Sequence, residues 1–174
     1  MKTLIVIDMQ NDFIDGSLGT PEAVDIVENV KAKIKEAEAN GDRIIFTRDT
    51  HQENYLETNE GKHLPVSHCI YQTDGWQLVP EVKMLLKGAE IVDKPTFGSV
   101  TLAEMLKMIS ETEPIEIELC GLCTDICVVS NALLLKAFMP GVEISVDASC
   151  CAGTTPQKHQ AALETMQSCQ INII

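Results

Sequence analysis

A short segment, Cys120–Val128, passes from a strand-like run through a glycine into a helical pattern, and it carries a cysteine suited to catalysis. Thr124 or Asp125 is placed to cap the predicted helix, which puts Cys127 in its first turn. Free N–H groups and the positive end of the helix dipole stabilise a thiolate there. The same N–H groups can hold the oxyanion of a tetrahedral intermediate. The position favours a nucleophile, and a small, inert core residue is the alternative.

Two charged residues at the ends of other apolar runs could serve such a nucleophile. Asp8 lies near the end of the run Thr3–Met9, and a buried carboxylate beside a thiol can take its proton and return it to a leaving amine. Lys94 follows a short apolar run and precedes Pro95, where its charge can lower the pKa of a thiol and balance the carboxylate. A loop-capping aspartate and an exposed lysine are the alternatives.

The long polar segment 48–76 contains a possible metal site. Asp49 and His51 are two residues apart and His68 follows later, which is a set of oxygen and nitrogen ligands that suits a divalent metal. Glu60 offers a fourth, less certain ligand. Zinc, manganese and iron all tolerate these ligands, which by themselves select no one metal; zinc is the ion that we expect. A solvated polar loop is the alternative.

Composition and charge limit the partners of the protein. The formal net charge is −13 and no cluster of Lys and Arg interrupts the acidic surface, which argues against binding nucleic acid or an anionic membrane. The longest apolar stretch, Ala132–Met139, contains Lys136 and is too short to span a bilayer. Seven cysteines, an odd number, without a secretion signal predict reduced thiols and a cytoplasmic location.

Short β-rich runs alternate with amphipathic stretches through all 174 residues, which we interpret as a single domain, residues 1–174. Strands are predicted at 3–9, 43–47, 90–93, 115–120, 142–147 and 170–174, and helices at 20–40, 80–86, 101–109, 125–139 and from 155 onward. This pattern predicts a parallel sheet covered by helices on both faces, with ligands bound outside the carboxyl ends of the strands. The residues predicted at those ends are Asp8, Asp49, Lys94, the segment Gly121–Cys127, and Asp147.

Taken together, these motifs resemble the isochorismatase-like cysteine hydrolases, a superfamily that includes the nicotinamidases. The resemblance runs essentially the full chain. It rests on the segments Val6–Phe13, Arg48–His51, Pro65–Cys69, Lys94 and Gly121–Val128.

The resemblance implies a fold, a reaction and roles for particular residues. The implied fold is an α/β, Rossmann-like, three-layer αβα sandwich with a six-stranded, mostly parallel sheet. The implied catalytic triad is Asp8, Lys94 and Cys127, with an oxyanion hole from the backbone N–H groups of Cys123 and Cys127 and a cis peptide bond just before Cys123. In nicotinamidase-like members a metal beside the pocket holds the ring nitrogen of the substrate, and its ligands match Asp49, His51, His68 and, less certainly, Glu60. A homo-oligomer, either a dimer or a tetramer, is also implied.

The sequence differs from nicotinamidases around the predicted substrate pocket. The run Leu64–Cys69 is one residue longer than the corresponding nicotinamidase segment and lacks its aromatic residue, and Pro95–Ser99 contains no tyrosine. Phe13 and Phe97 remain as candidates for stacking on a substrate ring.

Three functions are compatible with these residues. The favoured one is hydrolysis of a small carboxamide through a thioester on Cys127. The second is hydrolysis of an N-carbamoyl amide or a vinyl ether on the same fold. An N-carbamoyl substrate would be favoured by a basic residue in the pocket, for which Lys62 is the nearby candidate. The third is a non-catalytic binding protein, because fold alone does not establish function.

Overall fold

The computed structural model describes all residues, 1–174, around a sheet of six parallel strands in the order β3-β2-β1-β4-β5-β6. The strands are β1 Lys2–Ile7, β2 Arg43–Asp49, β3 Glu90–Lys94, β4 Glu116–Leu122, β5 Ile144–Ala152 and β6 Asn172–Ile173. The helices are α1 Asn11–Ile14, α2 Pro21–Asp25, α3 Val27–Asn40, α4 Asn59–His63, α5 Pro80–Lys83, α6 Val100–Thr112, α7 Val129–Phe138 and α8 Pro156–Ser168, with a 3₁₀ turn at Tyr55–Glu57 and a π turn at Thr124–Val128. The predicted α/β sandwich is confirmed.

The core lies on both faces of this sheet. Strand β1 is buried from Thr3 to Ile7, as expected for a central parallel strand that helices cover on two sides. Helices α3 and α5 pack together, with α3 against β1, β2 and β5. Helix α7 packs against both α6 and α8, and α7 and α8 pack against β5. No helix in the structure is both long enough and apolar enough to cross a membrane.

The direction of chain progression across the sheet reverses between β1 and β4. Strands β2 and β3 follow β1 to one side, whereas β4, β5 and β6 extend to the other. Ile7, the last residue of β1, pairs with Gly121, and Asp49 at the end of β2 pairs with Lys94. Such a reversal opens a crevice at the carboxyl ends of the strands, where ligands bind in open α/β sheets.

Two of the differences from the predicted element boundaries change which residues face the core and the site. The single helix predicted for 20–40 is divided at Ile26 into α2 and α3, and Val24 is exposed. Ala23 is the buried residue of α2 instead. Strand β5 continues to Ala152 past a register shift against β4, which puts Asp147 inside the strand rather than at its end.

An ion cluster ties α3 to the sheet. The ammonium of Lys33 lies 2.8 Å from the Glu118 carboxylate on β4 and 2.7 Å from that of Asp147 on β5. Glu118 is buried and also pairs with Lys2, and Asp147 accepts two hydrogen bonds from Ser149. Burial raises the pKa of Asp147, but hydrogen bonds from Lys33 and Ser149 outweigh it and lower the pKa below its usual value.

We expect Lys33→Met to reduce the free energy of unfolding by about 3 kcal/mol, because it leaves two buried carboxylates without their shared cation. Urea denaturation at neutral pH measures this loss. The folded-state pKa of Asp147 lies below its unfolded value, so its contribution is present above about pH 4 and is lost as the pH falls through the folded-state pKa. The difference between wild type and variant should therefore shrink in acid.

Lys31→Met is the matched control on the same helix. Lys31 pairs with Glu28, whose side chain is 77% exposed, and such surface pairs contribute about 0–1 kcal/mol. Equal losses in the two variants would contradict a special role for the buried cluster.

Candidate active site

The reversal of strand order brings together the ends of β1, β3 and β4. Asp8 follows β1 with a left-handed backbone, φ +47°, which few residues other than glycine adopt and which occurs often at functional sites. Lys94 is the last residue of β3, and Cys127 lies in the π turn after β4. All three side chains are buried.

The Lys94 ammonium joins these residues. Its Nζ lies 2.6 Å from Oδ2 of Asp8, 3.3 Å from Sγ of Cys127 and 3.4 Å from Oδ1 of Asp49. Burial lowers the pKa of Lys94, but the nearby Asp8, Cys127 and Asp49 outweigh burial and raise it. Lys94 is therefore a cation at neutral pH. No other lysine or arginine pairs with the carboxylates of Asp8 and Asp49.

The surroundings of Cys127 favour a neutral thiol at rest, whereas its predicted place at the start of a helix favours a thiolate. Burial raises its pKa well above the usual value, the charge of Asp8 raises it further, and Lys94 opposes both. Asp8 and Cys127 both face the Lys94 ammonium, at 2.6 Å and 3.3 Å. The cysteine must therefore lose its proton to a neighbour before it can attack, and Asp8, which shares Lys94 with it, is the candidate acceptor.

Gly121 and the peptide bond after Leu122 shape the corner between β4 and the cysteine. Gly121 has φ +113°, and a β-carbon there would lie 2.1 Å from the carbonyl oxygen of Ile7, so only glycine fits. The Leu122–Cys123 peptide is cis, as the family resemblance implies. The Cys123 carbonyl accepts the N–H groups of Ile126 and Val128, whereas its own N–H has no partner within the protein.

The predicted metal ligands form a second cluster beside the triad. One ligand atom from each of Asp49, His51, Glu60 and His68 lies within 4.8 Å of the others. Nε2 of His51 is 2.9 Å from Oδ2 of Asp49, and Nε2 of His68 is 3.5 Å from the same oxygen. The Nδ1 of His68 is 2.8 Å from the Val66 carbonyl, which turns Nε2 towards the cluster, as the outer hydrogen bond of a metal-binding histidine does. These donors fit a divalent metal.

Two residues that the sequence analysis missed hold Asp8 and Asp49 in place. Thr47 donates a 2.6 Å hydrogen bond to Asp8 and accepts its N–H. Gln10 accepts the N–H of Asp49 at 2.7 Å and donates to its carbonyl at 2.9 Å. Thr47 and Gln10 are polar residues among buried neighbours, and this is the signal that could have identified them. Gln10 also lies within the motif Val6–Phe13.

A cavity of about 490 Å³ opens onto the cysteine. Its lining is mostly apolar and includes the predicted stacking residues Phe13 and Phe97. Phe13 is buried and its ring lies 5.6 Å from that of His68, whereas Phe97 is half-exposed at the mouth. Lys62 is not part of the lining, whereas Lys158 of α8 is. The other lining residues are Leu18, Thr20, Ala23, Glu60, His63, Leu64, Leu122, Cys123, Ile126, Gly153 and Thr154.

Two sequence predictions about this region are wrong. Asp147 takes no part in the site, because β5 is longer than predicted and its carboxylate faces Lys33. Neither Thr124 nor Asp125 caps the helix that follows; both side chains hydrogen bond to residues around the start of α8.

Comparison with known proteins gives relatives along the whole chain. The nicotinamidase of Saccharomyces cerevisiae is 26% identical, over 100% of this chain and 99% of its own. The crystal structure of the pyrazinamidase of Pyrococcus horikoshii in complex with zinc has a TM-score of 0.82 at 30% identity, covering 99% of this chain and 98% of that one. The pyrazinamidase/nicotinamidase of Streptococcus mutans has a TM-score of 0.85 at 30% identity, with both chains covered completely.

The family pattern described as the isochorismatase domain matches residues 2–174. This match confirms the resemblance that the sequence motifs indicate. The chain belongs to the isochorismatase family.

Proposed function

We propose that this protein is a cysteine-dependent amidohydrolase that cleaves a small, nicotinamide-like carboxamide through a thioester. The observation that carries the proposal is the buried Lys94 ammonium in contact with both Asp8 and Cys127. The nicotinamidase and pyrazinamidase relatives support the carboxamide substrate. The mostly apolar cavity, with Phe13 and Phe97 in its lining, suits a flat ring.

The proposed acylation begins with proton transfer from the Cys127 thiol to the Asp8 carboxylate. The thiolate sulfur bonds to the carboxamide carbon, and the carbonyl electrons move to oxygen. The N–H groups of Cys123 and Cys127 hold this oxyanion. Asp8 then gives its proton to the departing nitrogen, the C–N bond breaks, and ammonia leaves a thioester on Cys127.

Deacylation uses the same residues in reverse. Asp8, again a carboxylate, takes a proton from a water molecule while the oxygen of that water attacks the thioester carbon. The C–S bond breaks, Cys127 recovers its proton from Asp8, and the acid product leaves. Lys94 stays charged throughout and faces whichever of the two groups is anionic.

Asp49, His51, His68 and Glu60 would hold a divalent metal at the wall of the cavity, with zinc as the proposed ion. The zinc complex of the Pyrococcus horikoshii relative supports this choice. A bound metal supplies a Lewis acid that can hold a ring nitrogen of the substrate. Lys94 contacts both Asp49 and Cys127, so it links these ligands to the proposed nucleophile.

An N-carbamoyl amide is the second candidate substrate. Lys158 lines the cavity and forms no ion pair with the protein, so it can bind a carboxylate on such a substrate. Lys158 replaces Lys62, which the sequence analysis named as the candidate basic residue for this substrate.

Three further predictions from the sequence stay proposals. A single domain, residues 1–174, is supported by the one sheet and by the match over 2–174. A cytoplasmic location is supported by seven cysteines that form no disulfide. A homo-oligomer, dimer or tetramer, rests on the family resemblance.

We expect Cys127→Ala to lower kcat for nicotinamide or pyrazinamide by roughly 10⁴-fold or more, because no other group can form the thioester. Ammonia release measures the turnover. Cys169→Ala, which removes an exposed cysteine outside the cavity, is the control and should retain activity. Full turnover by Cys127→Ala would contradict the mechanism.

We expect His51→Ala to weaken zinc binding by roughly 100-fold or more, because it removes a ligand rather than a supporting contact. Elemental analysis and titration of the metal-depleted protein measure this without reference to activity. His63→Ala removes a histidine from the same loop but outside the cluster, and should leave the zinc affinity unchanged. Equal affinities in wild type and His51→Ala would contradict the proposed site.

The two candidate substrates can be separated by their products and by Lys158→Gln. An N-carbamoyl amino acid would yield carbon dioxide with ammonia, and a simple carboxamide only ammonia. If the anionic substrate is the true one, Lys158→Gln should raise its KM by about tenfold, the loss of one charged contact, and leave neutral amides unaffected. Lys62→Gln is the control. Turnover of neutral amides alone would exclude the second candidate.

A further inference from the structure

Two side chains of the π turn reach away from the nucleophile to the start of α8. Thr124, fully buried and next to Cys123, has its Oγ1 2.8 Å from Nδ1 of His159. Asp125 accepts the N–H of Thr154 at 2.8 Å on one oxygen and its hydroxyl at 2.7 Å on the other. These contacts join the turn after β4 to the junction between β5 and α8, about 30 residues later.

Packing at this junction is close. A β-carbon on Gly153 would lie 2.8 Å from the backbone nitrogen of His159 and 2.9 Å from Oδ1 of Asp125. The junction therefore has no space in which the turn could shift towards α8. Gly153 and Thr154 also line the cavity beside Cys127, so the contacts support one wall of the site.

Ordinary helix capping does not explain these contacts. Threonine and aspartate at the start of a helix usually accept N–H groups of its first turn. Here the helix after the π turn has no side-chain cap, and both residues bind another element instead. The first turn of α7 therefore lacks the local stabilisation of a side-chain cap, typically about 1 kcal/mol for each cap. The π turn, in exchange, is held in a fixed position against α8.

We propose that His159 is a positioning residue that, through Thr124, fixes the direction of the oxyanion-binding N–H groups of Cys123 and Cys127. The inference rests on the proposed function and extends it. His159 is not part of the cavity lining, so it acts without touching the substrate. Thr124 follows Cys123 directly, so a rotation of its backbone changes the geometry of the neighbouring peptide groups.

An oxyanion hole depends on such support. Its donors must already point at the place where negative charge develops, because their value falls if they must reorganise during the reaction. The Cys123 carbonyl is held by Ile126 and Val128 inside the turn, but these bonds move with the turn. The hydrogen bond from Thr124 to His159 fixes the turn relative to the rest of the protein.

The test compares His159→Ala with wild type on a carboxamide substrate. We expect kcat to fall by about 10- to 100-fold, the range for a misplaced or missing oxyanion donor, with KM changed by less than about twofold. Gln160→Ala is the matched control: Gln160 is the next residue of α8, is exposed and bonds only to Glu164. It should retain wild-type kcat.

A substrate analogue with an aldehyde in place of the carboxamide gives a second measurement. Cys127 adds to the aldehyde carbon, its proton passes to Asp8, and the resulting tetrahedral oxyanion occupies the same hole as the transition state. We expect the affinity for this aldehyde to fall in His159→Ala by the same factor as kcat/KM, as for a transition-state analogue. A merely structural role would lower the stability to urea and leave this correlation absent.

Conservative variants complete the test. In His159→Asn, an amide atom can replace Nδ1, so we expect kcat to recover to within a few-fold of wild type. Thr124→Val should reproduce the loss of His159→Ala and Thr124→Ser should not, and the double variant His159→Ala/Thr124→Val should be no slower than either single one. If His159→Ala fails to fold, the comparison of Thr124→Val with Thr124→Ser decides.

Unchanged kcat and aldehyde affinity in His159→Ala would overturn the proposal, as would a rise in KM at constant kcat. Failure of the proposed function is distinguishable, because wild type would then hydrolyse no carboxamide, or Cys127→Ala would hydrolyse it normally.

Discussion

The contact between the Lys94 ammonium and the Asp8 carboxylate, 2.6 Å apart and both without exposure to solvent, is the constraint on which the site depends. Burying either charge without the other would cost free energy, since an isolated buried ion loses its hydration without compensation. Their positions follow from the sheet: β1 and β3 lie two strands apart, with β2 between them, and Thr47 of β2 binds the same carboxylate. A change in strand register would separate the pair.

The same ammonium connects the nucleophile to the predicted metal site. It reaches Asp49 at 3.4 Å, and Asp49 in turn contacts His51 and His68. Asp8 and Asp49 face this one ammonium, and the third carboxylate, Glu60, lies 3.6 Å from His51 and 3.8 Å from His68. Burial raises the pKa of Glu60 above its usual value and the charge of Asp49 adds to this, whereas His51, His68 and Lys94 oppose both. A divalent metal would add positive charge to a site where three carboxylates accompany one ammonium, which is a physical reason for these donors to bind one.

Sequence alone predicted most of the parallel sheet and the residues at its carboxyl edge, because apolar runs and terminal charges are local patterns. Asp8, Asp49, Lys94 and Cys127 were all identified in this way. The support around them was not, because Thr47, Gln10 and Lys158 acquire their roles only when distant segments meet. Thr124 and Asp125 show the same limit. Their local sequence predicts helix caps, but both side chains form hydrogen bonds with residues about 30 positions later.

The neutral thiol follows from the same arrangement. Taking the proton from Cys127 to Asp8 moves one negative charge from oxygen to sulfur, and Lys94 lies 2.6 Å from the first atom and 3.3 Å from the second. The ammonium thus has an anionic neighbour before and after the transfer, so the buried charge is never left without a partner. A permanent thiolate beside ionised Asp8 would instead place two anions against one cation. The site therefore favours a protonated Cys127 at rest, and Lys94 lowers the electrostatic cost of the proposed proton transfer.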